Sequence, residues 1–116
     1  MSTCNVDNII KIITGSYKKF TVTFEDEDTG ERIDFSLVTA AKIIIQTGTG
    51  AFVEQAITAP IPSPTLGVMT IELIGTTTAQ LDKDTVSFEI ETTDNGKTII
   101  YLGKNLMEIT ERLKTV

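Results

Sequence analysis

The chain has 116 residues, 41% of them hydrophobic, with sixteen Asp and Glu against ten Lys and Arg for a formal charge of −6. That length is the size of one domain with a real core, so a single unit over residues 1–116 is expected, and the negative balance repels a phosphate backbone, so no nucleic-acid partner is expected. There is no histidine and one cysteine, Cys4, which excludes an intrachain disulfide, a histidine-based catalytic triad and the commonest nitrogen ligand of a metal centre.

The opening "MSTCNVDNIIKIITGSYKKF" has neither the basic start nor the long apolar run of a secretory signal. No apolar stretch approaches the roughly 20 residues of a membrane span. A soluble product of the cytoplasm with no membrane partner is therefore expected. Residues 9–13 form a first short β-rich run. In "KKFTVTFE" Phe20, Val22 and Phe24 share one face while Thr21, Thr23 and Glu25 take the other, the alternation of a half-buried strand. The acidic "EDEDTGE" that follows has the composition of a turn. Further strands are expected at 33–37, 41–47, 51–57 and Val68–Leu73, with "TGTGA" supplying Gly48 and Gly50 for a hairpin.

"APIPSPT" places Pro60, Pro62 and Pro64 over five residues and reads as an extended surface crossover between sheets, never as a central strand. Residues 75–85 leave room for one helical turn, capped by a threonine and followed by Leu81 in the core. "TVSFEIET" alternates again, with Val86, Phe88 and Ile90 inward, and "TDNGK" carries Asn95-Gly96, the strongest short hairpin signal. A strand at 98–102 follows. The C-terminal "KNLMEITERLKTV" reads two ways. Asn105 with Glu108 and the 106, 109, 113 spacing suit a helix, whereas the alternation of Met107 and Ile109 and the β-branched Ile109 and Thr110 favour a strand.

These signals predict an all-β, antiparallel, immunoglobulin-like sandwich of about seven to nine strands with little helix. The expected core is Phe20, Val22, Phe24, Ile43, Ile45, Ile71, Leu73, Leu81, Val86, Phe88, Ile90, Ile100 and Leu102.

Candidate chemistry is thin. Asp26, Asp28 and Gly30 imitate the start of a calcium loop, but the glycine falls one position early and Leu37 stands where the bidentate Glu belongs, so a hairpin turn is the expectation. "GTGAFV" lacks the third glycine of a dinucleotide fingerprint and the helix after it, and Cys4 has no second thiol and no base. Glu89 and Glu91 project from one strand face about 7 Å apart, a spacing that glycoside hydrolysis could use, although acids on a strand's outer side are ordinarily solvated. Tyr17 and Tyr101 are the aromatic candidates for contact with a sugar or a partner. No catalytic, cofactor-binding or metal-binding residue is assigned, and no enzymatic activity is expected.

The order of segments is informative. A short apolar strand leads into "GSYKKFTVTFEDEDTGERIDFSLVTAAKIIIQT", then a variable middle, then "GVMTIELIGTTTAQLDKDTVSFEIETTDNGKTIIYLGKNLMEI". Over residues 10–109 this resembles the N-terminal β-sandwich domain of BppU-type upper baseplate proteins of tailed phages. That family shares the "F-T-V-T-F" strand before an acidic-glycine turn, the "G-x-x-T-I-E-L" strand, the threonine-rich turn ending in leucine, and the "D-x-G-K" hairpin. The resemblance implies a non-enzymatic virion structural protein of the tail, baseplate, neck or head decoration. Such a protein is made in the host cytoplasm, needs no cofactor, and forms homo-oligomers and docks to other phage structural proteins. A carbohydrate- or receptor-binding sandwich module is the alternative, tempered by the absence of tryptophan.

Overall fold

The computed structural model describes residues 3–5, 9–25, 28–33, 35, 38–48, 51–57, 67–81, 84–94 and 96–111. Eight strands and one helical turn follow in chain order: β1 (Thr3–Asn5), β2 (Ile10–Ile13), β3 (Lys18–Glu25), β4 (Val38–Gly48), β5 (Ala51–Ala56), β6 (Val68–Leu73), α1 (Gly75–Thr78), β7 (Asp84–Asp94) and β8 (Lys97–Thr110). Hydrogen bonding runs β5-β4-β7-β8-β1-β3-β6, with β2 also on β8. The order folds over where β1 meets β8 at the single parallel pair Thr3↔Leu102. This leaves β5-β4-β7-β8 with β2 as one layer and β1-β3-β6 as the other. A three-strand sheet extended by a flanking strand, facing a second sheet, is the immunoglobulin-like arrangement. The pairs are antiparallel except those that β1 and β2 make with β8.

Alternation decides which side chains meet between the layers. From one layer come Ile10, Ile12, Ile43, Ile45, Val53, Val86, Phe88, Ile90, Tyr101, Met107 and Ile109, and from the other Val22, Phe24, Met69, Ile71 and Leu73, all buried. Phe24, Phe35 and Tyr101 stack edge to face, Phe24 lying 4.9 Å from each of the other two rings, and this cluster binds β3 to β8 across the interior. Phe20 is partly buried against the same core and meets Phe88 at 6.2 Å.

Two expected core positions are corrected. Ile100 is 47% exposed and Leu102 is half-buried on the outer face, while Tyr101 and Gly103 point inward. "TIIYLG" is apolar on both faces, so its alternation carries no parity. The tight turn after Asp94 decides instead: it pairs Asp94 with Lys97 and hence Ile90 with Tyr101, and residues directly opposite share a face. Gly103 is required where it stands, because a Cβ there would lie 2.6 Å from the Phe88 ring.

Of the expected strand at 33–37, Ile33 and Phe35 are among the described residues and neither is in a strand: Arg32 makes an isolated bridge to Glu25, the Ile33 N–H donates to the Phe24 carbonyl at 3.1 Å, and Phe35 plugs the core. β3 has β1 on one edge, through Thr3↔Glu25, and β6 on the other, through Thr23↔Val68; β1 was not anticipated. At this crossing Gly67 has φ of 65° and a Cβ would lie 2.7 Å from the Phe24 carbonyl oxygen and 2.9 Å from the Ile33 nitrogen.

The C-terminal segment is strand through Thr110, not helix, with β2 laid parallel along Met107–Thr110. The helical turn exists as α1, but its N-cap is Ile74 with no side-chain cap. Threonine serves differently: buried Thr78 donates from Oγ1 to the Ser16 carbonyl at 2.7 Å, pinning the turn to the β2–β3 connection, and Leu81 is buried as expected. The proline stretch and Asn95 lie outside the described residues.

Replacing Tyr101 with Ala should cost about 3–5 kcal/mol, whereas Ile100→Ala should cost under about 0.5 kcal/mol, a contrast that urea midpoints will read. Gly67→Ala should lose about 2–3 kcal/mol because both its φ and its backbone neighbours forbid a Cβ.

Candidate docking surface

The acidic stretch behaves as a turn. Asp28 and Thr29 sit in it, Gly30 takes φ of 72°, and Arg32 Nε returns to Glu25 Oε1 at 3.3 Å. Asp26 and Leu37 lie outside the described residues. Among the described residues no three His, Cys, Asp or Glu side chains gather as a metal site, and no helix is long and apolar enough to cross a membrane. Cys4 contributes its backbone to β1, opposite Phe24. Tyr101 is buried in the aromatic cluster, so it cannot contact a sugar, while Tyr17 is 58% exposed.

The outer face of the β5-β4-β7-β8 layer is the surface with the most chemistry. Cross-strand register lays its side chains in rows: Ala56, Lys42, Glu91 and Ile100 in one, Glu54, Ile44, Glu89 and Leu102 in the next, then Phe52 and Gln46, with Ser87 lining the same cleft. The hairpin from β4 to β5 pairs inward Ile45 with Val53, which turns the neighbouring Phe52 outward, 63% exposed. Lys42 Nζ is shared by Glu54 Oε1 at 3.4 Å and Glu91 Oε1 at 4.0 Å, exposed pairs worth under about 1 kcal/mol each. Glu89 has no ion pair among the described residues. It lies instead on an open cleft of about 160 Å³ walled by Ile44, Phe52 and Leu102. Both candidate carboxylates are thus on one face, Glu91 beside Lys42 and Glu89 on the cleft with Ile44, Phe52 and Leu102.

A second polar cluster closes the seam where the edge strands of the two layers, β5 and β6, come together. Gln55 donates from Nε2 to the Glu72 carbonyl at 2.5 Å and accepts at Oε1 from the Ile74 N–H at 3.1 Å. Its amide thereby occupies edge groups of β6 as a neighbouring strand would. Tyr17 donates to Glu72 Oε1 at 2.6 Å, and that bond, with desolvation and the carboxylate's charge adding to it, raises the phenol above its ordinary value. Sequence reasoning missed Gln55 entirely, because its partners are backbone atoms distant in the chain.

No family model and no curated protein matches the sequence. Among solved structures the chain is similar to the endo-β-1,4-mannanase of Thermotoga petrophila, at 12% identity and a TM-score of 0.51. The match covers 97% of this chain and 20% of the mannanase, so the chain spans about a fifth of that protein's length. This likeness extends to fold and no further.

The raised Tyr17 value favours the protonated phenol in the folded state, so its stabilisation is complete below about pH 10 and is lost as pH rises through the folded value. Near-ultraviolet titration of a Tyr101→Phe variant should show Tyr17 ionising late, and adding Glu72→Ala should bring that step back toward the ordinary range. Gln55→Ala should lower stability by about 1–2 kcal/mol, measured by thermal unfolding, since two hydrogen bonds are lost at a partly exposed seam.

Proposed function

We propose that this chain is a non-enzymatic structural protein of a tailed-phage particle, acting through docking surfaces on a rigid sandwich. The observation that carries the reading is the outer face of the β5-β4-β7-β8 layer, where Phe52 and Ile100 are exposed beside half-buried Ile44 and Leu102. Apolar groups rimmed by charge on a flat sheet are the composition of a protein–protein contact. The resemblance of residues 10–109 to the baseplate sandwich domain supplies the particle. Self-association into a symmetric oligomer belongs to the same reading, since repeated copies are how such particles are built.

A carbohydrate-binding module is the second reading. It draws on the cleft beside Phe52, where an aromatic ring stands near Glu89, Gln46 and Ser87, the pairing of flat apolar surface with polar groups that a sugar uses.

Mass-spectrometric inventory of purified particles of the encoding phage should find this chain at a fixed copy number. Its confinement to the unassembled fraction of the lysate would overturn the structural reading. Specific, saturable binding on a glycan array that Phe52→Ala abolishes would replace it with the second.

A further inference from the structure

An immunoglobulin-like sandwich has strand edges whose backbone groups another strand could complete. Here they are treated unequally. On β6 the Glu72 carbonyl and the Ile74 N–H are capped by Gln55. On β5 no such cap exists among the described residues. The Ile57 N–H donates to the Ala41 carbonyl at 2.9 Å, and β4 and β5 pair Ile43 with Gln55 and Ile45 with Val53. In an antiparallel pair the bonded positions alternate, so residues 53, 55 and 57 bond to β4, and Phe52, Glu54 and Ala56 turn their N–H and C=O groups to the free edge. Those three residues also send their side chains to the outer face, with Phe52 63% exposed.

We propose that the free edge of β5 takes up an extended segment of a second protein as an added strand, with a Lys or Arg opposite Glu54 and an apolar side chain beside Phe52. Charge selects this occupant over a second copy of the chain. Two β5 edges pairing antiparallel would set Glu54 directly opposite or diagonal to its own copy, and like charges so placed oppose pairing. Each copy also brings a net charge of −6. Glu54 borders the edge on the outer face, and Glu72 lines the seam beside Gln55 and Ala56. Lys42, opposite Ala56 on β4, is already divided between Glu54 and Glu91. A cationic strand would gain Glu54 as an ion pair, lay its aliphatic stem along Phe52, and complete the edge hydrogen bonds.

This inference rests on the docking reading above but is tested apart from it. The probe is a short blocked peptide of alternating lysine and valine, titrated into the isotope-labelled protein, beside a control peptide with glutamate in place of lysine. The expected result is amide shifts and slowed hydrogen exchange at Phe52, Glu54 and Ala56, with the lysine peptide bound at least about tenfold more tightly at low salt. Ala56→Pro removes an outward N–H without touching the β4 ladder, so it should abolish binding at an unchanged melting temperature, and Glu54→Lys should reverse the peptide preference. Shifts confined to other strands, equal affinity for both peptides, exchange protection of Phe52 and Glu54 in the protein alone, or a mass that doubles with concentration through this edge would each overturn the proposal. Peptide capture at β5 by a protein absent from particles would overturn the virion reading and leave this one standing. Failure of capture by a protein present in particles would do the reverse.

Discussion

The inward face of β8, from Tyr101 to Ile109, is the constraint on which the other strands depend. β8 pairs with β7 along one side and with β1 and β2 along the other, so an error in its parity would expose Tyr101, Met107 and Ile109 and bury Ile100 and Glu108 instead. A one-residue slip exchanges the two faces of a strand entirely. What prevents it is local: the tight turn sets Asp94 against Lys97, and Gly103 leaves the space that the Phe88 ring fills. Phe24 and Phe35 then close over Tyr101, joining the layers through aromatic rings rather than a disulfide.

Much of this was legible in the sequence where one face of a strand is apolar and the other polar. Val22 and Phe24, and Val86, Phe88 and Ile90, are buried, because Thr23, Ser87 and Glu89 between them leave alternation only one solution, and for buried Ile43 and Ile45 the polar Lys42 and Gln46 on either side do the same although Ile44 intervenes. It failed where both faces are apolar, at Ile99 to Leu102, and there the hairpin register held the missing information. It failed again for β1, too short to show a period.

The candidate surface was half legible. Glu89 and Glu91 on one face follow from spacing alone, and the register bears that out. That Lys42 bridges Glu54 and Glu91 while Glu89 faces Ile44 and Leu102 depends on strand order, which the sequence does not print. The Gln55 clasp is of the same kind. A side-chain amide standing in for a strand at the β6 edge is invisible to any periodicity, yet it closes one edge of the sandwich and leaves the neighbouring one open. Interior chemistry is spent on packing: among the described residues every buried side-chain nitrogen and oxygen has a hydrogen-bond partner. Outward-facing side chains and strand edges are what remain for function.

The proposed function requires another protein to cover the outer face of the β5-β4-β7-β8 layer. Hydroxyl-radical footprinting of the free protein and of the assembled particle measures this directly. The account requires Ile44, Phe52 and Leu102 to lose reactivity on assembly while exposed Tyr17, immediately before β3 in the other layer, keeps its own. Equal oxidation of Phe52 in the two states would contradict it.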